Sequence, residues 1–307
     1  MTTVIKTHNL TKNYGDYAAV NNVSLSLEFG DIYGLIGRNG AGKSTLFKLL
    51  MGLTQPTNGD IALFGDPSDS GLRVGRHNIG FMNGPSFFSY LNAYDNLNYF
   101  RLLKGIQDKT EIDRVLKLVD LAGVKKPFKS YSMGMKQRLG IANALMGSPK
   151  VIILDEPVNG LDPQGIADFR KLIQHLNKEI GITFVVSSHI LGELGLMATR
   201  FGFIEKGKLI EEITAQELHE RTRSSLKIVV DNVAKASILL EEEANTTNFR
   251  VFDDKTIILN DYVHEPNIIN NLMVSNGITL YQISTNEASL EDYFLNLIGG
   301  PSDASIH

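Results

Sequence analysis

Short, continuously apolar runs alternate along the chain with segments whose apolar residues recur every three or four positions. The run Asp31-Ile-Tyr-Gly-Leu-Ile36 predicts a short buried strand, and Ser44-Thr-Leu-Phe-Lys-Leu-Leu-Met51 has the spacing of a helix. "VIIL", residues 151–154, predicts a strand buried on both faces. "NIGFM", residues 78–82, predicts another strand, and the apolar residues leading into "VVSSH" predict one that ends at His189. Between residues 86 and 130, "FFSYLNAYDNLNYFRLLKGI" and "EIDRVLKLVDLAGV" both carry helical spacing.

The pattern changes near residue 222. Beyond it "LKIVVD", "NFRVF", "TIILN" and "ITLYQIS" predict strands, with helices near 233–243 and 265–275. That order is β-α-β-β-α-β, the ferredoxin-like pattern. A last segment, "ASLEDYFLNLIGG", sets Leu290, Tyr293, Phe294 and Leu297 along one helical face and ends in glycines. Two domains are therefore expected, 1–222 and 223–307, the second a small α+β unit.

Composition narrows the possible functions. An apolar share of 43% in 307 residues suits a globular chain with one large domain and a smaller one. No window approaches the ~18 uninterrupted apolar residues of a membrane helix, and Met1 to Lys6 does not open a signal peptide, so the chain is not expected to cross a membrane itself. Without cysteine it forms no disulfide or thiolate site, which is compatible with a reducing cytosol. Residues 1–222 carry 25 Lys+Arg against 22 Asp+Glu, while residues 223–307 carry 5 against 12. The acidic second part argues against nucleic acid as a partner.

Between the first strand and helix lies Gly37-Arg-Asn-Gly-Ala-Gly-Lys-Ser-Thr45, in the order G-x-x-x-x-G-K-S-T. Gly37, Gly40 and Gly42 let the backbone bend until its amides, from Arg38, Asn39 and Ala41 onward, point inward beside a helix N-terminus and cradle anionic oxygens. Lys43 is then a point charge for β- and γ-phosphates, and the Ser44 hydroxyl a ligand for Mg2+. A second element follows the apolar run at 151, where Asp155 and Glu156 stand at the end of a buried strand, the edge at which open α/β sheets bind ligands. Asp155 is a candidate magnesium ligand, and Glu156 a candidate base for the attacking water.

Three further pieces decide the class: "YSMGMKQRLGIANAL" from residue 131, "NGLDP" after the carboxylates, and "VVSSH". In this order they resemble the ATP-binding cassette (ABC) ATPases, a likeness covering residues 1 to about 220. It implies an α/β phosphate-loop core with an antiparallel β subdomain and a helical subdomain at about 86–148. By the same likeness Ser132 and Gly134 form the signature loop, Asp162 the D-loop, and His189 the switch histidine, a second catalytic residue able to donate a hydrogen bond to the γ-phosphate. Tyr14 matches the aromatic ring that stacks on adenine, and Asn83 stands where the family has a glutamine near magnesium, with a shorter side chain. The signature departs from the usual Leu-Ser-Gly-Gly-Gln, reading Tyr131-Ser-Met-Gly-Met135, as in cassettes serving export and self-protection against antimicrobial peptides.

The resemblance further implies a dimer, with either an identical cassette or a close relative, because each signature loop covers the nucleotide of the other subunit. It implies an integral membrane permease whose coupling helix sits in a groove where Phe87, Phe88 and Tyr90 are candidates. The expected protein is a cytoplasmic ATPase subunit held at the inner face of the cell membrane through that permease, exporting a peptide or drug. An importer ATPase, or a soluble ABC ATPase outside transport, is the alternative.

Overall fold

Strands made only of buried residues must be covered on both faces, and among the described residues there are three. Every residue of Ile32–Ile36, Val151–Asp155 and Thr183–Ser188 is buried. In the computed structural model, which describes residues 2–84, 86–188, 191–222, 224–286 and 290–299, they are the centre of a six-stranded sheet. Its order is Lys208–Thr214, Arg200–Glu205, Ile32–Ile36, Thr183–Ser188, Val151–Asp155 and Ile79–Asn83. All neighbours are parallel except the edge strand Lys208–Thr214. The register sets Ile36 opposite Ser188 and Asn83 opposite Asp155, so these strands end at one common edge.

The chain separates into two compact units, residues 1–215 and 216–307. In the first, Thr3–Tyr14 pairs antiparallel with Tyr17–Val23, Ser26–Glu28 and Asn58–Leu63 to form a second sheet. A core shared by both sheets takes Val4, Leu10 and Val20 from the antiparallel layer, Leu35 and Ile153 from the parallel one, and Leu46, Phe47 and Leu50 from the helix Lys43–Leu50. That helix is thereby fixed below the turn that precedes it.

The helical subdomain comprises Ala93–Leu103, Thr110–Leu118 and Met133–Leu145. The first helix is shorter than its apolar spacing predicts. Asn92 caps it by accepting from the Asp95 amide at 2.9 Å. The buried Asn96 side chain accepts from the Phe88 amide and donates to the carbonyls of Phe88 and Leu91, which holds the preceding residues as a loop. Side chains with their own backbone partners compete with helix at this point. Within the loop Phe87 turns inward onto Phe100 and Phe128, while Phe88 and Tyr90 stay exposed.

The second unit holds an antiparallel sheet in the order Phe249–Val251, Thr256–Leu259, Ser225–Val230, Leu280–Asn286. With helices Val233–Glu242 and Pro266–Ser275 between the strands, this is the ferredoxin-like arrangement. Leu226, Ile228 and Val230 alternate toward a core completed by Leu240, Ile257, Ile269 and Met273. A further helix, Leu290–Gly299, places the Tyr293 hydroxyl 2.6 Å from the Arg221 guanidinium. Among the described residues no helix is long and apolar enough to cross a membrane.

Phe47 is fully buried at the centre of the first unit's core. Phe47→Ala should cost about 3–5 kcal/mol, read as a lowered urea midpoint; a midpoint within error of the parent would show that the helix is anchored elsewhere.

Candidate functional site

At the end of Ile32–Ile36 the backbone must reverse within a few residues and enter the helix Lys43–Leu50. Gly42 makes the entry with φ 111°, and a Cβ there would stand 2.4 Å from the Ala19 carbonyl oxygen. Gly37 is equally confined, its Cβ position lying 2.4 Å from the Ile204 carbonyl oxygen. No side chain caps the first turn of the helix. Its leading amides therefore remain available to an anion, reinforced by the positive end of the helix dipole. Arg38 to Thr45, with Tyr17, Ala19 and Glu156, line a cavity of about 310 Å³.

Lys43 is almost wholly buried. Its ammonium donates to the Gly37 carbonyl at 2.6 Å and to the Arg38 carbonyl at 3.3 Å, and lies 3.1 Å from Glu156 Oε1. The lysine thus ties the loop to the carboxylate that follows Val151–Asp155, two strands away in the sheet. Glu156 has φ 51°, an unusual left-handed conformation for a residue with a Cβ. Strained backbone of this kind clusters at functional sites.

A residue overlooked in the sequence joins the two acidic positions. The Ser187 hydroxyl donates to Asp155 Oδ1 at 2.7 Å and accepts from the Glu156 amide at 2.9 Å. Ser187 is fully buried and Asp155 nearly so. The signal lay in "VVSSH", a pair of hydroxyls at the end of an otherwise apolar strand. Asn83 lies exposed beside Asp155 on the adjacent strand, and Ser44 is exposed at the start of the loop helix. His189 lies outside the described residues.

Two tyrosines face each other across the hairpin of Thr3–Tyr14 and Tyr17–Val23, Tyr14 paired with Tyr17. Tyr14 is 52% exposed, with the Lys12 ammonium 5.1 Å from its ring centroid. Tyr17, also missed in the sequence, is 58% exposed and donates its hydroxyl to the Gly40 carbonyl at 3.3 Å. It is the Tyr17 ring that lines the phosphate-loop cavity.

A second cavity of about 420 Å³ opens between the helices Met133–Leu145 and Pro163–Ile180, and it shares no lining residue with the first. Ser132, Gly134 and Asp162 line it. Ser132 and Asp162 are both N-caps, accepting from the Met135 amide at 3.3 Å and the Gly165 amide at 2.9 Å.

The glycine loop, its buried lysine and the carboxylates at the next strand end make the first unit a phosphate-loop nucleoside triphosphatase, elaborated with the subdomains of an ATP-binding cassette. The family model described as ABC transporter matches residues 20–159. The bacitracin transport ATP-binding protein BcrA of Bacillus licheniformis is 42% identical over 98% of this chain and 99% of its own length. The lantibiotic transport ATP-binding protein SrtF of Streptococcus pyogenes is 44% identical over 68% of this chain and 90% of its own. Among solved structures, cbiO1 of Clostridium perfringens, part of the cbiONQ transporter complex, superimposes with TM-score 0.65 at 26% identity, covering 80% of this chain and 97% of that one. The cassette MJ0796, a dimer in a post-hydrolysis state with ADP and phosphate, gives TM-score 0.59 at 26% identity over 69% of this chain and 98% of that one. The chain belongs to the ATP-binding proteins of ABC transporters, and it binds and hydrolyses ATP.

Removing the hydroxyl between the two acidic residues tests whether it sets their geometry. Ser187→Ala should lower kcat for ATP hydrolysis about tenfold, equivalent to about 1.4 kcal/mol, with little change in KM. A parent-like kcat would show that Asp155 and Glu156 are oriented without it.

Proposed function

We propose that this chain is the ATPase subunit of an exporter of peptide antibiotics, docked on an integral membrane permease at the inner face of the cell membrane. The observation that carries the reading is the extent of the likeness to the bacitracin transport protein, which runs through both units. The methionine-bearing signature and the small appended unit favour export over import.

In this reading the loop amides and Lys43 bind the triphosphate, so that Lys43 exchanges its carbonyl partners for β- and γ-phosphate oxygens. Mg2+ suits the oxygen donors present. Ser44 is exposed, and among the described residues only Ser187 hydrogen-bonds the Asp155 carboxylate, at one of its two oxygens. Ser44 and Asp155 would hold the ion, with Asn83 beside them, and the ion when bound supplies positive charge against the phosphate oxygens. Glu156 takes a proton from water as the water oxygen attacks the γ-phosphorus and the bond to the β-γ bridging oxygen breaks, giving ADP and phosphate. His189 donates to the γ-phosphate, and Tyr14 stacks on adenine.

The separation of the two cavities supports action in a pair. Ser132 and Gly134 would close over nucleotide held by a second cassette, with Asp162 at the same interface. In an isologous two-fold dimer each chain would give its phosphate loop to one site and its signature loop to the other.

The chemistry is tested with three variants, followed by light scattering with and without Mg-ATP. Glu156→Gln should bind ATP, hydrolyse it at least a hundredfold more slowly, in line with the 10²–10⁴-fold contribution of a positioned base, and persist as a closed dimer. Adding Ser132→Arg should abolish that dimer by blocking the opposing phosphate, and Lys43→Ala should prevent it by losing ATP. Parent-rate hydrolysis by Glu156→Gln would remove the base assignment.

Stacking is tested by Tyr14→Ala, which should weaken ATP binding by about 1–3 kcal/mol. Equal affinities would move the base to another wall of the cavity, where Tyr17 stands.

Export is tested in cells that carry the permease. Glu156→Gln should abolish the resistance to a peptide antibiotic that the parent chain confers, and the parent should copurify with the permease from solubilised membranes. Resistance independent of Glu156 would sink the exporter reading.

A further inference from the structure

We propose that Met133 is a positioning residue for Glu156 of its own chain, acting through Gly160 in the loop that leads from Glu156 to the helix Pro163–Ile180. That loop is held at both ends. Val158 is buried, the Glu156 carbonyl accepts from the Asn159 amide at 3.4 Å, and the Val158 carbonyl accepts from the Leu161 amide at 3.1 Å. At the far end Asp162 caps the helix through the Gly165 amide. Between these anchors Gly160 is exposed and left-handed, with φ 77°, a conformation that disfavours any side chain at this position.

Met133 lies over the bare face that this leaves. A Cβ on Gly160 would stand 3.4 Å from Met133 Cε and 3.9 Å from its Cγ, which are ordinary van der Waals separations. Both residues line the cavity between the helices Met133–Leu145 and Pro163–Ile180, so the flanks of the two helices leave space there and the methionine reaches across to the loop. Met133 opens its helix behind the Ser132 cap and is 42% exposed, so the core does not hold its side chain in this position. The usual Leu-Ser-Gly-Gly-Gln has glycine here, with no side chain to make the contact. The bridge to Gly160 exists because this chain departs from that pattern.

The route from this contact to the chemistry is short. Gly160 follows Glu156 by four positions, and the two backbone hydrogen bonds fold the residues between them into successive turns, so a displacement of Gly160 is passed to the Glu156 carbonyl. On its other side the Glu156 amide is held by the Ser187 hydroxyl. A base must stand at a narrow distance from the water it activates, and a misplacement of about 1 Å costs on the order of 10²-fold. Met133 also stands between Ser132 and Gly134, which in the proposed function cover nucleotide on a second cassette. In that respect the inference rests on the proposed function: the grip of one chain on its partner's nucleotide bears, through Met133 and Gly160, on the carboxylate of the gripping chain. A flexible thioether side chain suits a contact that must persist while the loop moves.

The test separates action within a chain from action across the interface. Full-length chains with intact Glu156 are mixed with a large excess of Glu156→Gln chains before Mg-ATP is added, so that each intact chain meets an inactive partner, and hydrolysis in the first turnover is followed at saturating ATP. Met133→Ala in the intact chain should slow that turnover about fivefold, equivalent to about 1 kcal/mol at the barrier, with ATP affinity and urea midpoint unchanged. Met133→Leu, which keeps an apolar side chain over Gly160, should restore it. The slowing should follow the chain that carries Glu156. Slowing that appears instead when only the Glu156→Gln partner carries Met133→Ala would show that Met133 acts on nucleotide across the interface. Slowing in neither arrangement, or by alanine and leucine alike, also overturns the proposal. If light scattering finds no dimer with Mg-ATP, yet Met133→Ala slows the intact chain and Met133→Leu restores it, the contact stands and the cassette dimer is lost. A dimer that forms while the Met133→Ala chain turns over at the parent rate keeps the cassette dimer and removes the contact.

Discussion

The site depends on the parallel register of the buried strands. Ile32–Ile36, Thr183–Ser188 and Val151–Asp155 are buried along their whole length, and all three are covered on both faces. A slip of one residue would carry polar ends into the core and rotate every side chain to the other face. The register that avoids this brings the glycine loop, the hydroxyl of Ser187 and the carboxylates of Asp155 and Glu156 to one edge. Chemistry is concentrated there because packing leaves the chain nowhere else to end its strands.

Electrostatics then bind the edge together. Lys43, buried among carbonyl groups, would be costly as an isolated cation. Two backbone acceptors and the carboxylate of Glu156 compensate it. The two carbonyls are neutral acceptors and weaker than phosphate oxygens, so the arrangement that makes the buried charge tolerable leaves it able to exchange them for a triphosphate. Ser187 plays the complementary part for the acidic side, donating a hydrogen bond to Asp155 and accepting one from the amide of Glu156.

The loop and the two carboxylates are legible in the sequence because glycine spacing and an apolar run ending in acids are local signals. The ferredoxin-like unit is legible for the same reason, its strands and helices alternating in short stretches. What escapes is long-range. Ser187 gains its role only when Thr183–Ser188 pairs beside Val151–Asp155, about 30 positions away in the chain. Tyr17 is a hairpin residue with no motif of its own, and it reaches the loop because the antiparallel layer folds against the helix Lys43–Leu50. Apolar spacing sets the helix start ahead of Ala93 because it carries no sign of the buried Asn96 amide, which takes the backbone of Phe88 away from the helix.

The left-handed backbone of Glu156 places two incompatible demands on one position. Conformation there favours glycine or asparagine, whereas the ion pair with the buried Lys43 needs a carboxylate. The parent residue therefore holds a small reserve of strain, on the order of 1 kcal/mol or more. A replacement that relaxes it also gives up the carboxylate facing the buried Lys43, so the strain and the compensated charge are held in place together.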